Sequence, residues 1–413
     1  MLGFEHALLL DCTGADPRGD MVVVIEGERI QRIGPSGSFG LPLGTTVIDC
    51  QGRTLMPGLT DAHVHLSAIE MHMTDNLRQP APVVALRIAA EIEATLQAGF
   101  TTVRDAGGLP WGYKEAVRLG LIDGPDLLIS GGFLSQTGGH ADHRVRTDVS
   151  APSQDNQVYA QAFIVDGPDQ VRWATRENLR RGSDQIKVMA NGGAMSPNDE
   201  MTSTQFTVEE LRAAVQEAKA AGTYVLAHTY TPQSMQNCIE AGVRSLEHGN
   251  FLDEPTAALI KQTGTYLVPT IVTYEQIAAR GAAEGVGEKQ IAKIRQGLAG
   301  AFEALEIAVR TGVTIASGSD LLGAMQPLKA REPVLKARVM GPMAALIATT
   351  RTNARLFRME DEIGTIEPGK RADLIVIDGD PTTDIECVAD ASRIQVVIKH
   401  GHICKNSYEG NGQ

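Results

Sequence analysis

The chain lacks paired cysteines, long apolar runs and an excess of positive charge, and each shortage closes off a class of function. Its five cysteines, Cys12, Cys50, Cys238, Cys387 and Cys404, are scattered with no Cys-x-x-Cys spacing. That argues against a zinc knuckle or dithiol redox site and fits a reducing compartment. No uncharged apolar stretch approaches the roughly 18 residues that a membrane-spanning helix needs. The opening residues carry Glu5 and only a short apolar run over 7–10, without the basic leader and cleavage site of a secretory signal. A cytoplasmic protein with no membrane partner is expected. With 37 basic against 50 acidic residues and a net charge of −13, the chain repels phosphate backbones, so nucleic acid is not an expected partner. The motif Asn191-Gly-Gly193 is too short to cradle a dinucleotide or phosphate, so no nucleotide cofactor is expected.

What is present is regular. At 413 residues the chain is long for one compact core, and a large domain with a smaller companion is the default. Residues 1–56 read as short strands and tight turns, as in Met21-Val-Val-Val-Ile25 before Arg29-Ile-Gln-Arg-Ile33, and the texture returns after Ile363 in Ala372-Asp-Leu-Ile-Val-Ile377. The two ends, 1–56 and 361–413, are expected to form one small β-sandwich domain. Between them, over 57–360, short β-rich runs alternate with helical periods, the pattern of repeated βα units and a parallel sheet. Candidate strands are 62–66, 101–106, 127–132, 185–190, 224–229, 245–250, 266–272 and 314–318. Eight strands over about 300 residues match an α/β fold of the (β/α)8 TIM-barrel type; a doubly wound open sheet is the alternative. Thr207 to Ala221, with Glu209 and Glu210 in its first turn and Gly222 beyond its end, reads as one crossover helix.

The strongest local signal is Pro57-Gly-Leu-Thr-Asp61-Ala-His63-Val-His65. In a strand, positions i and i+2 point to one side and can grip one cation. Alone, such a pair is as often two satisfied polar side chains. Here His228 ends a strand in Val225-Leu-Ala-His228, His248 ends the next in Ser245-Leu-Glu-His248, and Asp320 follows Ala316-Ser-Gly-Ser. All fall at C-terminal strand ends, where barrel enzymes keep their chemistry. Lys187, inside the apolar strand Gln185-Ile-Lys187-Val-Met, is expensive to bury unpaired. It needs either a salt bridge or conversion to a carbamate, a bridging carboxylate.

Taken together with Thr101-Thr-Val-Arg-Asp105, Leu246-Glu-His248-Gly and the tail from Gly364 to Asp380, these motifs resemble the amidohydrolase superfamily over nearly the whole chain, and specifically its prolidase-like branch related to imidazolonepropionase. The resemblance implies a metal-dependent hydrolase with two zinc ions: His63, His65 and Asp320 on one, His228 and His248 on the other, and N-carboxylated Lys187 bridging both. Two such ions sharing a water would depress its pKa toward neutrality, with Asp320 as base and then acid. The loop Ser135 to His143 is glycine-rich and lets an imidazole approach a ligand closely; similar loops in relatives place a histidine over the substrate. His140 is the choice for the oxyanion, with His143 in reserve. Tyr230, two residues past His228, could bind a substrate carboxylate or the oxyanion, or could be a packed aromatic.

His400 and His402 are expected on a strand surface far from the site, and His6 and His72 have no ligand-spaced partner. The run Lys329 to Arg338 reads as a solvated helical face, with Arg331 or Arg338 as candidates to neutralise a substrate carboxylate. The expected substrate is a dipeptide or N-acyl amino acid cleaved at its C-terminal amide, in a homo-oligomeric enzyme. Alternatives are a cyclic amide, an amino-acid conjugate such as ochratoxin, or a catalytically silent scaffold.

Overall fold

A computed structural model describes residues 1–149, 158–196 and 199–408, so residues 409–413 of the expected terminal domain and 150–157 of the central one lie outside it. The strands are β1 (Leu2–Leu9), β2 (Arg18–Glu26), β3 (Arg29–Pro35), β4 (Thr46–Asp49), β5 (Thr54–Pro57), β6 (Leu59–Val64), β7 (Phe100–Asp105), β8 (Asp126–Ile129) and β9 (Leu134–Ser135). They continue with β10 (Phe163–Ile164), β11 (Ile186–Met189), β12 (Val225–Thr229), β13 (Ser245–His248), β14 (Tyr266–Val268), β15 (Leu374–Ile377), β16 (Ile394–Lys399) and β17 (His402–Asn406).

Both chain ends enter one eight-stranded sheet, in the order β17-β16-β15-β5-β1-β2-β3 with β4 also on β1. The first half of β1 pairs β4 and the second half pairs β5; His6, at a left-handed φ of 51°, bends the strand between them. The expected sandwich is therefore one branched sheet. It packs its own apolar set, including Phe4, Leu9, Val23, Leu55, Leu374 and Val396.

The central strands are all parallel and form a six-stranded sheet, β10-β9-β11-β12-β13-β14, and a three-stranded one, β6-β7-β8. Backbone bonds span the gaps. Asp184 donates to Ile129 O at 2.8 Å, and Ala62 donates to Ser317 O at 2.8 Å. The expected strand over 314–318 makes only an isolated bridge, Ile315 to Leu267, though along it Leu267 N donates to Thr314 O and Ala316 N donates to Leu267 O. The expected strand over 266–272 stops at Val268 because Pro269 has no N–H for the ladder, and Ile271–Arg280 is helical. The crossover helix spans Val208–Ala220. Thr207 accepts from Glu210 N while Glu210 accepts from Thr207 N, a capping box that satisfies two otherwise open donors. No described helix is long and apolar enough to cross a membrane.

The run Lys329 to Arg338 is not a solvated face. Lys329, Glu332 and Lys336 are buried, and the Lys336 ammonium donates to Pro269 O, Ala316 O and Ser317 Oγ at 3.0–3.1 Å while pairing with Glu332. Four acceptors offset its desolvation and tie this helix (Arg331–Met340) to the segment that carries Asp320.

Candidate active site

The strands deliver their charged and imidazole side chains to one cavity of about 410 Å³, lined by His63, His65, Lys187, His228, His248 and Asp320 among others. Register explains the convergence: Met189 lies opposite His228, and Thr229 opposite His248. The cavity is closed on the remaining side by the 314–320 segment. Asp61 accepts from His63 N and Ser319 N, and Gly318 lies so close to β6 that a Cβ there would sit 2.4 Å from His63 Cβ. His248 and Asp320 both adopt left-handed φ, 70° and 55°, which sets the turn that follows each strand end.

Each imidazole is oriented by a partner behind it. His63 Nδ1 lies 2.7 Å from the Glu247 carboxylate, His65 Nδ1 donates to Gly107 O at 2.8 Å, and His248 Nδ1 lies 2.8 Å from Thr270 Oγ1. His228 instead uses Nε2, 3.2 Å from Gly192 O. The other nitrogen of each ring is left for the cavity, the arrangement that holds metal-binding histidines. His63 Nε2, His65 Nε2 and an Asp320 oxygen lie within 4.8 Å of one another, and His65 Nε2 to Asp320 is 3.2 Å. Lys187 Nζ is 3.4 Å from His63 Nε2. Nitrogen and carboxylate donors so grouped suit a divalent cation such as zinc.

Electrostatics keep the donors available. Burial pulls His63 and His228 well below the usual imidazole range and His248 to about 3, with Lys187 adding to each, so these rings are neutral. Burial pulls the Lys187 ammonium down to about 8 against the opposing pull of Glu247 and Asp320. Burial pushes Asp320 up, but His65, His248 and Lys187 outweigh it and hold its carboxyl below the ordinary range.

His140 stacks on His228 with ring centroids 4.4 Å apart, and its backbone N–H donates to Gln205. A Cβ on Gly193 would collide with the ring, so that glycine makes room for it. His143 also lines the cavity, at its exposed rim. Tyr230 is buried, edge-on to His228, and accepts from the Tyr274 hydroxyl at 2.7 Å, which leaves its own proton to donate. Arg331 is bound to Glu275 by two bonds, and neither it nor Arg338 lines the cavity; among the described residues, Arg78 does. His72 lines it too. His6 pairs with exposed Asp49, and His402 is exposed. His400 is half-buried against Asp126; with Asp373 these groups cluster, but Arg371 and Lys399 already neutralise the carboxylates.

A model of the amidohydrolase family matches residues 54–404. The chain belongs to the amidohydrolase family. Ochratoxinase of Aspergillus niger is 32% identical to this amidohydrolase over 414 residues, covering 97% of this chain and 86% of that one. A prolidase solved in complex with N-methylphosphonate-L-proline superposes with a TM-score of 0.95 at 40% identity, over 98% of this chain and 99% of that one. A Xaa-Pro dipeptidase with methionine bound in its active site gives 0.87 at 30% identity, over 97% and 99%. These neighbours define the prolidase-like branch and support amide-bond hydrolysis as the chemistry.

The amidohydrolase also holds functional groups that the strand-end reading misses. Arg104 and Glu247 are fully buried and 2.9 Å apart; Arg104 further donates to Ala62 O and Ser245 Oγ, and Ser245 Oγ donates to Glu247. Glu247 thus ties Arg104, Ser245 and His63 together. Both sit in strands that already carry polar residues, Phe100–Asp105 and Ser245–His248, so neither stands out as Lys187 does.

Proposed function

We propose that this amidohydrolase is a binuclear zinc enzyme that cleaves the C-terminal amide bond of dipeptides or N-acyl amino acids. The observation that carries the reading is that six separated side chains, His63, His65, Lys187, His228, His248 and Asp320, line one cavity, each of the four histidines with one ring nitrogen already engaged. His63, His65 and Asp320 would hold one ion and His228 and His248 the other, with Lys187, once N-carboxylated, available to both. We read the two parallel sheets with the 314–317 segment as one (β/α)8 barrel spanning 57–360, flanked by a domain of 1–56 and 361–413. The bonds across both gaps support it.

Bound in this way, the cations supply a water of near-neutral pKa and polarise the scissile carbonyl. The residues do the rest. Asp320 takes the proton of the attacking water and gives it to the departing nitrogen, so the C–N bond breaks as a neutral amine leaves. His140 and Tyr230 face the same cavity and donate to the carbonyl oxygen as it gains charge, or hold the substrate carboxylate. The apolar wall of Met71, Met195, Ile277, Ile294 and Leu322 excludes water and favours an apolar acyl group. Methionines adapt their shape to a range of ligands, which favours a second reading within the same chemistry, a bulky aromatic acyl group on the amino acid, as in ochratoxin.

The test is a panel of dipeptides, N-acyl amino acids and cyclic amides, with released amino acid detected after incubation with the zinc-loaded enzyme. Release from apolar Xaa-amino acid amides, with cyclic amides inert, is expected. Turnover confined to cyclic amides contradicts the substrate class.

A further inference from the structure

At the opposite ends of the same strands lies a second cavity, of about 200 Å³, lined by the residues that lead into β12, β13 and β14 together with Lys219 and Arg358. It shares no residue with the histidine cavity. Tyr224 and His228, and likewise Arg244 and His248, are four residues apart along nearly straight strands, which separates the two sites by about 13 Å.

Arg244 is the centre of this cavity and is rigidly held. Its guanidinium carbon lies 5.4 Å from the Tyr224 ring and 5.1 Å from the Tyr266 ring. Nε donates to Leu356 O at 3.0 Å and Nη2 to Arg355 O at 2.8 Å, leaving Nη1. Arg358 also approaches the Tyr224 ring, at 5.3 Å, anchored through Nη1 to Gly222 O. The Lys219 ammonium reaches over Gly242, 3.2 Å from where a Cβ would stand. Among the described residues no carboxylate forms an ion pair with any of the three. Burial first, and then the charge of Arg358, pull Arg244 below its ordinary value.

Two features speak against arginines that merely cap carbonyls. Arg358 ends its helix at φ 63°, a left-handed position where glycine or asparagine closes a helix with less strain. And in a chain with a net charge of −13, three cations line one hollow where Glu360 acts on Arg244 from nearby without forming a direct ion pair.

We propose that this cavity is a binding site for a phosphate group, free or carried on a small phosphomonoester. Three cations lining one cavity, one of them a guanidinium placed against two rings with Nη1 left to donate, supply the charge that a dianion needs. Binding relieves the repulsion between Arg244 and Arg358.

The test uses calorimetric titration of the metal-loaded full chain at constant ionic strength with inorganic phosphate and, separately, glycerol phosphate. It compares the native protein with Lys219→Gln/Arg358→Asn, exposed positions where Asn keeps the left-handed backbone easy. The native protein is expected to bind at least one of the two probes in the low-millimolar range or tighter, and the tighter one identifies the source. The double variant should bind about tenfold or more weakly, as expected for lost charge-assisted bonds, while amide hydrolysis without phosphate stays within about twofold. Absence of binding by the native protein up to about 10 mM of either probe overturns the proposal. So does equal affinity in the double variant, which would put the anion elsewhere. Neither result bears on the hydrolytic reading, since binding is measured without turnover.

Discussion

Asp320→Asn is expected to lower kcat by about 10³-fold or more, toward the upper end of what a positioned proton-transfer group supplies, while most of the metal stays bound. The carboxylate is 3.2 Å from His65 Nε2 and 3.5 Å from His63 Nε2, and it opens onto the cavity, with its side chain 20% exposed. Asn keeps an oxygen in nearly the same place, so the ligand set loses a charge but not its shape. What it cannot do is accept a proton from water and return it to a leaving nitrogen. The backbone argues the same way, because Asp320 N donates to His63 O at 2.7 Å and holds the left-handed turn whichever side chain follows, a conformation that Asn tolerates. Steady-state hydrolysis of the best panel substrate, with metal content measured on the same sample, checks it. Turnover near that of the native enzyme removes Asp320 from the acid/base role.

Glu247→Gln should cost about 3–5 kcal/mol of stability, the range found when one member of a buried ion pair is removed. The Arg104 guanidinium is fully buried with Glu247 as its charged partner, and an amide cannot neutralise it. The same substitution weakens the hold on His63 Nδ1, now 2.7 Å from Glu247. Loss of such a partner typically lowers metal affinity about 10- to 100-fold. The two effects separate in the double variant Arg104→Met/Glu247→Leu. Replacing both charges by apolar groups is often neutral for stability, so denaturant unfolding should recover while zinc affinity stays low. A single variant that unfolds within about 1 kcal/mol of the native protein and keeps full metal affinity contradicts this account of the pair.

How much was legible in the sequence follows from the physics of each signal. Period-two alternation fixes which strand residues share a face, so His63 with His65 and the strand-end positions of His228 and His248 can be read directly. Lys187 stands out because an ammonium in an apolar strand demands an explanation. Arg104 and Glu247 lie in strands with other polar residues and give no such signal, and pairing them requires knowing that β7 and β13 face each other across the interior, which no local pattern encodes. Met71, Arg78, Tyr274 and Ile294 reach the cavity from loops and helices outside the strands, where position depends on tertiary packing. The Lys329 to Arg338 run misleads for a related reason: charge density predicts solvent, yet Lys336 finds four acceptors in the interior. Pro269 does carry a legible stop signal, and it cuts the seventh strand short.

The proposition beneath the functional reading is that the six side chains bind a pair of cations. Elemental analysis of the purified full chain, produced with zinc and bicarbonate in the medium and freed of loosely held metal, tests it most directly. The account predicts two zinc ions per chain; fewer than one per chain would contradict it.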